Sequence, residues 1–129
     1  VQKQVEQVKQ FHTSTDQPVS ALTDVGFGKL RGKLQVEEAL ELKQAIEDNN
    51  MVEIADAVID SLYVAIGAAV AYGFSDKLDE LFDAVHKSNM SKLDPATGKA
   101  IYREDGKILK GPDFKPPTDD IKRILGLTQ

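Results

Sequence analysis

The opening stretch "VQKQVEQVKQFHTST" sets Val1, Val5, Val8, Phe11 and His12 along one helical face, which predicts a first helix ending near Thr13. "DQPVSALTDVGFG" follows, with Pro18, Gly26 and Gly28 as breakers, and reads as a loop. Helical spacing resumes between Thr23 and Lys29 and runs to about Glu47; Gly32 within it costs about 1 kcal/mol relative to Ala. "DNN" ends that helix and starts another, with Asn49 or Asn50 as N-cap. A third helix is expected from Met51 to about Tyr72, closed by Gly73, and a fourth from a Ser75 cap to about Ser88. Turn residues then recur every few positions. Residues 100–103 and 107–110 flank "EDG", a hairpin signal, and "PPTDDIKRIL" predicts a short helix opened by Pro117 or Thr118. The pattern therefore predicts an all-α chain in one domain, 1–129. A four-helix core covers about 1–89, and an irregular C-terminal arm, about 90–129, carries a short β-hairpin. An arm so rich in Pro and Gly is expected to pack over the bundle or over a partner subunit.

The polar positions inside the helical pattern are less ordinary. "EEALELKQAIEDNNMVEIADAVID" holds eight carboxylates and one lysine. On the third helix, Ile54, Ala55, Val58, Ile59, Leu62, Tyr63, Ile66 and Ala69 define a broad apolar face. Glu53, Asp56 and Asp60 form a narrow stripe opposite, which continues as Val64, Gly67 and Ala71. No Lys or Arg occurs between Met51 and Gly73, so the helix offers these acids no partner of its own. A helix buried nearly all round is expected. On the second helix, Leu34, Leu42, Ala45 and Ile46 mark the apolar face, and Glu38 projects into its middle with Glu41 at its edge and Glu37 on the flank. Glutamate is rarely buried unless paired or bound to metal, because an unpaired buried carboxylate protonates instead. The short "DNN" link makes the two helices antiparallel neighbours. Glu38 and Glu41 then face Glu53 and Asp56 across one seam. A hard divalent cation would relieve that charge, and carboxylates with water suit magnesium or manganese. The competing explanations are a solvated charged seam and pairing with lysines from elsewhere in the fold.

Charge and composition narrow the classes. The net charge is −5, against a binder of nucleic-acid polymers. There is no cysteine, which excludes disulfides, thiolate catalysis and sulfur-bound zinc. The longest apolar run, residues 61–74, is too short to span a bilayer, and the N-terminal stretch has no signal-peptide core. A cytoplasmic protein with no membrane partner is expected.

"EEALE" followed by "EIADAVID" resembles the EExxE and ExxD motifs of the MazG-like, all-α nucleoside triphosphate pyrophosphohydrolases. "VHKSNMSKLD" and "YREDGKILKGPDFKPP" resemble a subgroup described as phosphoribosyl-ATP pyrophosphohydrolase-like, as do the early "FH" and "DAVIDSLYVAIGAAVAYG". The resemblance implies an Mg2+-dependent enzyme that hydrolyses a (d)NTP to (d)NMP and pyrophosphate in nucleotide-pool housecleaning. It places metal ligands at Glu38, Glu41, Glu53 and Asp56, an assisting acid at Asp60, and water activation at Glu37 beside Glu38. It also places nucleotide contacts at Asn89 and Lys92 and implies a homodimer or homotetramer with sites near subunit interfaces.

The remaining residues have plainer readings. His12 is expected to be a satisfied helix histidine, with a place in a base pocket beside Phe11 as its functional alternative. Lys29, Arg31 and Lys33 form a basic cluster read as solvated surface, with phosphate contact, Arg31 foremost, as the alternative. Tyr63 and Tyr72 are expected to pack, not to stack on a base. Three functions stay in play: the pyrophosphohydrolase, with phosphoribosyl-ATP as a lower-ranked substrate; a non-enzymatic helical oligomer with a structural or regulatory metal; and a module whose acidic seam docks a basic helix.

Overall fold

The computed structural model describes residues 1–21 and 28–127, so residues 22–27 of the predicted loop, Gly26 included, lie outside the described residues. Among the described residues are five α-helices, α1 (Gln2–Ser14), α2 (Gly28–Glu47), α3 (Met51–Tyr72), α4 (Leu78–Met90) and α5 (Thr118–Ile124). One antiparallel hairpin joins β1 (Ile101–Tyr102) to β2 (Ile108–Leu109). The chain divides into two compact units, Val1–Asp76 and Lys77–Gln129.

In the first unit α1 and α2 both pack on α3. Val5 and Val8 from α1, Ala45 from α2, and Ile66, Val70 and Ala71 from α3 are buried. Several helix ends are built by residues the sequence supplies for them. Asn49 takes a positive φ of 52°, and the Asn50 N–H reaches the Ala45 carbonyl at 3.1 Å, closing α2 with a left-handed reversal. The Asn50 side chain then accepts from the Glu53 N–H at 3.2 Å and caps α3. Gly73, at φ 87°, closes α3 with its N–H on the Ala69 carbonyl. Asp16 reverses the chain after α1 in the same way, and the Gln17 N–H bonds the His12 carbonyl at 2.8 Å. That turn carries the chain back over α1. The Ser20 and Ala21 N–H groups then bond the Val70 and Ala71 carbonyls near the end of α3.

Two expectations are corrected. The face of α3 read as its apolar side is largely open in the single chain: Val58, Ile59 and Leu62 are exposed, as is Ile46 on α2. Of the acid stripe, Glu53 and Asp56 are exposed, and it turns inward only from Asp60 onward, where Asp60 and Val64 are half-buried and Gly67 and Ala71 are buried. Among the described residues two helices, α1 and α2, pack on α3, on the side where small residues let the backbones approach. By length and composition α3 also passes as a bilayer-crossing segment, as a core helix can. The apolar run counted from residue 61 understated it, because Glu53, Asp56 and Asp60 interrupt an otherwise apolar helix.

In the second unit α4 packs on α5. Ser75 does not cap α4; it begins a 3-10 turn, Ser75–Lys77, and α4 starts at Leu78 without a side-chain cap. The hairpin pairs Ile101 with Leu109 and Tyr102 with Ile108, and Gly106 takes the positive φ of its turn. Ser88 Oγ donates to the Lys115 carbonyl at 2.7 Å, and the Gly111 N–H bonds the Lys92 carbonyl at 2.8 Å, which ties the chain after the hairpin to the end of α4.

Candidate active site

Glu38, Glu41 and Asp60 come together where α2 and α3 run side by side, each offering one carboxylate oxygen within 4.8 Å of the others. Glu38 and Glu41 are three residues apart on α2 and so share a face. Asp60 comes across from α3. Glu38 Oε2 is buried with no hydrogen-bond partner among the described residues. Burial raises the Glu38 pKa above its usual 4.5, and the charges of Glu41, Asp60 and Glu37 raise it further. Burial likewise raises the Asp60 pKa, with Asp56 and Glu41 adding to the effect. No cation among the described residues pairs with any of the three carboxylates. An orphaned carboxylate oxygen in an all-oxygen donor set fits a hard divalent ion. Such an ion would supply the missing partner.

Glu53 and Asp56, expected to complete the ligand set, lie outside this triad. They line an adjoining pocket of about 250 Å³ together with Glu41 and Asp48. Glu41 therefore belongs to both groups. Glu37 is exposed beside them.

On the other side of the triad a cavity of about 400 Å³ begins at Glu38 and Asp60, passes Leu34 and Val64, and ends at His12, Gln17 and Arg31. Phe11 and Tyr63 form its aromatic wall, edge to face with centroids 5.8 Å apart. Here the surface reading of Arg31 is corrected. Lys29 and Lys33 are exposed, but Arg31 is only 6% exposed. It lies seven residues before Glu38, on the same inward face of α2. His12 Nδ1 lies 2.8 Å from the Pro18 carbonyl. A carbonyl only accepts, so Nδ1 carries the proton and Nε2 is free to accept from Arg31 Nη1 at 3.4 Å. Arg31 Nη2 donates to Gln17 Oε1. His12 is thus the satisfied, buried histidine that was expected, and it also orients a guanidinium. Burial lowers the Arg31 pKa from its usual value. Gly67 makes room for the pair: a Cβ there would sit 3.0 Å from both Arg31 Nη1 and His12 Nε2.

Asn89 and Lys92 belong to the second unit. Asn89 lies in the last turn of α4, exposed, and its carbonyl accepts from the Lys92 N–H at 3.1 Å. It is not the C-cap, a place taken by Ser91. The Lys92 amine sits 6.0 Å from the Phe114 ring centre, and Lys110 sits closer, at 4.9 Å. Gln17, Gly67 and the Pro18 carbonyl were not singled out from the sequence. The one signal available was Gly67 itself, seven residues after Asp60 on the same stripe.

Residues 5–89 match the family described as phosphoribosyl-ATP pyrophosphohydrolase. The chain belongs to that family. The match spans well over half of the 129 residues and includes every residue of the triad and of the cavity. It places this pyrophosphohydrolase in the MazG-like all-α superfamily, as the motifs suggested. No curated protein matches the chain. Membership makes this protein a pyrophosphohydrolase of nucleotide substrates, in a family that typically depends on metal.

Proposed function

We propose that this family member is an Mg2+-dependent nucleoside triphosphate pyrophosphohydrolase, adding water across the α–β anhydride of a (d)NTP to give (d)NMP and pyrophosphate. The carrying observation is the triad of Glu38, Glu41 and Asp60 with its orphaned Glu38 oxygen. A triphosphate and a carboxylate cluster repel each other, so these residues can meet the substrate only through cations. When bound, magnesium lowers the pKa of water and neutralises phosphoryl charge. Glu38, Glu41 and Asp60 would hold it, with Glu53 and Asp56 extending the site through the pocket that shares Glu41. Glu37, on the solvent side of Glu38, would take the proton from the attacking water. Asn89 and Lys92 are assigned to the nucleotide, with Lys92 a point charge for phosphate.

The exposed apolar residues of α3, Val58, Ile59 and Leu62, support a homodimer or homotetramer that covers them. The net charge of −5 supports an enzyme that does not engage nucleic-acid polymer, and a cytoplasmic housecleaning role without a membrane partner is proposed with it. The whole chain, 1–129, is proposed to act as one functional domain. The family description favours phosphoribosyl-ATP as the second substrate to test.

The test is pyrophosphate release from a panel of ribo- and deoxyribonucleoside triphosphates and phosphoribosyl-ATP, with magnesium and with EDTA. Release is expected only with magnesium, and Glu38→Gln should abolish it while leaving helicity intact. Undiminished release by Glu38→Gln would remove the triad from the mechanism. Metal-dependent melting without release from any substrate would favour a structural metal in a helical oligomer.

A further inference from the structure

We propose that Arg31 is the residue that selects the nucleobase, acting as a donor-only fork in the cavity that starts at the carboxylate triad. The inference rests on the triad being the phosphate end of the site.

Arg31 precedes Glu38 by seven residues on α2, and Gly67 follows Asp60 by seven on α3. The helices are antiparallel neighbours, so the carboxylate layer and the arginine layer lie two turns apart, about 10 Å. Between them run Leu34 and Val64, with Phe11 and Tyr63 as the wall. That lining is apolar and aromatic. It suits a sugar and a flat ring, and it offers nothing to a chain of phosphates. The phosphates belong at the other side of the triad, where Glu41, Glu53 and Asp56 would meet them through cations.

A guanidinium has five N–H donors and no acceptor. Among the described residues His12 Nε2 and Gln17 Oε1 each take one. Both anchors are uncharged groups in the tautomer fixed by Pro18, so the guanidinium is oriented without being neutralised. Arg31 is more than nine-tenths buried and borders the cavity. Its remaining donors therefore ask for an acceptor from the ligand. A base edge with two adjacent acceptors answers best: O6 and N7 of guanine, or O2 and N3 of cytosine. Adenine sets an amino donor beside each exposed ring acceptor on its six-membered edge and its N7 edge, so one arm of the fork would meet a donor. Uracil and thymine alternate acceptor, donor, acceptor and would satisfy one arm.

The experiment is binding of AMP, GMP, CMP and UMP to the full chain in magnesium, by calorimetry, for the wild type, Arg31→Gln and Arg31→Lys. Hydrolysis of the four triphosphates is measured beside it. The wild type is expected to favour GMP or CMP over AMP by roughly tenfold or more. Arg31→Gln, whose amide both donates and accepts, should flatten the order. Arg31→Lys keeps the charge but loses the fork and should flatten it as well. Magnesium-induced melting shifts, read on the same samples, identify variants that retain the folded triad. An unchanged base order in a folded Arg31 variant, or a wild-type preference for AMP, overturns the assignment. So does a uniform loss across all four bases, which is what a merely structural arginine would give. If monophosphates bind in the expected order but no triphosphate is hydrolysed, the proposed reaction fails and the base-selecting role of Arg31 stands.

Discussion

Replacing Asp60 by Asn should stabilise the protein without metal and destabilise it with metal. The triad oxygens lie within 4.8 Å of one another. At that distance two unit charges repel by about 1 kcal/mol under water-like screening. Asp60 has two such partners, and ordinary salt and its partial exposure reduce their sum. A gain of about 1 kcal/mol in EDTA is therefore expected, or about 3–5 °C in Tm for a chain of this size. Magnesium reverses the order. A ligand at a hundred times its Kd stabilises by about 2.7 kcal/mol. Even an outer partner of a metal ligand is worth roughly tenfold to a hundredfold in affinity. Removing a direct ligand should then cost at least about 1.4–2.8 kcal/mol of the metal-dependent gain, which exceeds the repulsion relieved. Thermal unfolding followed by circular dichroism, in EDTA and in magnesium, should show the two melting curves change places. An Asn variant that melts lower in EDTA, or higher by the same amount in both buffers, would refute the charge-crowding argument. A merely solvated acidic face predicts no crossing.

Acid should stabilise the metal-free protein. The Glu38 and Asp60 pKa values are raised on folding, so above the usual 4.5 and 3.8 the folded state holds more protons than the unfolded one. Stability is then lost as pH rises through the raised values, and melting in EDTA from mildly acidic to neutral pH should fall less steeply in Asp60→Asn; equal slopes would contradict the assignment. Gly67→Ala should lower stability by about 1 kcal/mol in denaturant titration: helix propensity favours Ala by about that much, but pressing a methyl against a histidine pinned by Pro18 and a buried arginine costs about 1–3 kcal/mol. A more stable variant would mean that Arg31 moves freely. Asn50→Ala removes the side-chain cap of α3 and should cost about 1 kcal/mol in the same titration, and a cost near zero would show that the reversal at Asn49 holds the helix start alone.

The two ends of α3 were legible because each depends on a few adjacent residues, whereas the start of α4 was not, because a 3-10 turn intervenes after the expected Ser75 cap. Asn50 caps and Gly73 closes α3 where the sequence places them. The acids were legible for a different reason: Glu38 stands out against Leu34 and Leu42, and the pattern of one helix suffices to see it. Its partner Asp60 was legible only as the end of a stripe. Burial nearly all round does not hold: the stripe turns inward from Asp60 onward, but Glu53 and Asp56 are exposed, as is much of the opposite face. Hydrophobicity suggests that Ile59 and Leu62 should be inside, but bulk is a poor guide to which side two neighbouring helices can approach. Ala57, Gly67 and Ala71 admit close backbones, and that is the face α3 turns inward.

Arg31 shows where a local pattern stops being informative. Between Lys29 and Lys33 it reads as one more solvated cation, and nothing within five residues says otherwise. Its burial depends on three distant features acting together: a left-handed turn at Asp16 that returns Pro18 and Gln17 over α1, a histidine whose tautomer that turn fixes, and a glycine on α3 where any side chain would intrude. None is unusual alone. Their coincidence puts a charge where burial is costly, on the same helix face as the carboxylates and two turns from them. A folding requirement alone would be met more cheaply by leucine at position 31. The presence of a guanidinium there, with donors to spare and a cavity in front of it, is the reason to look for its function in what the cavity accepts.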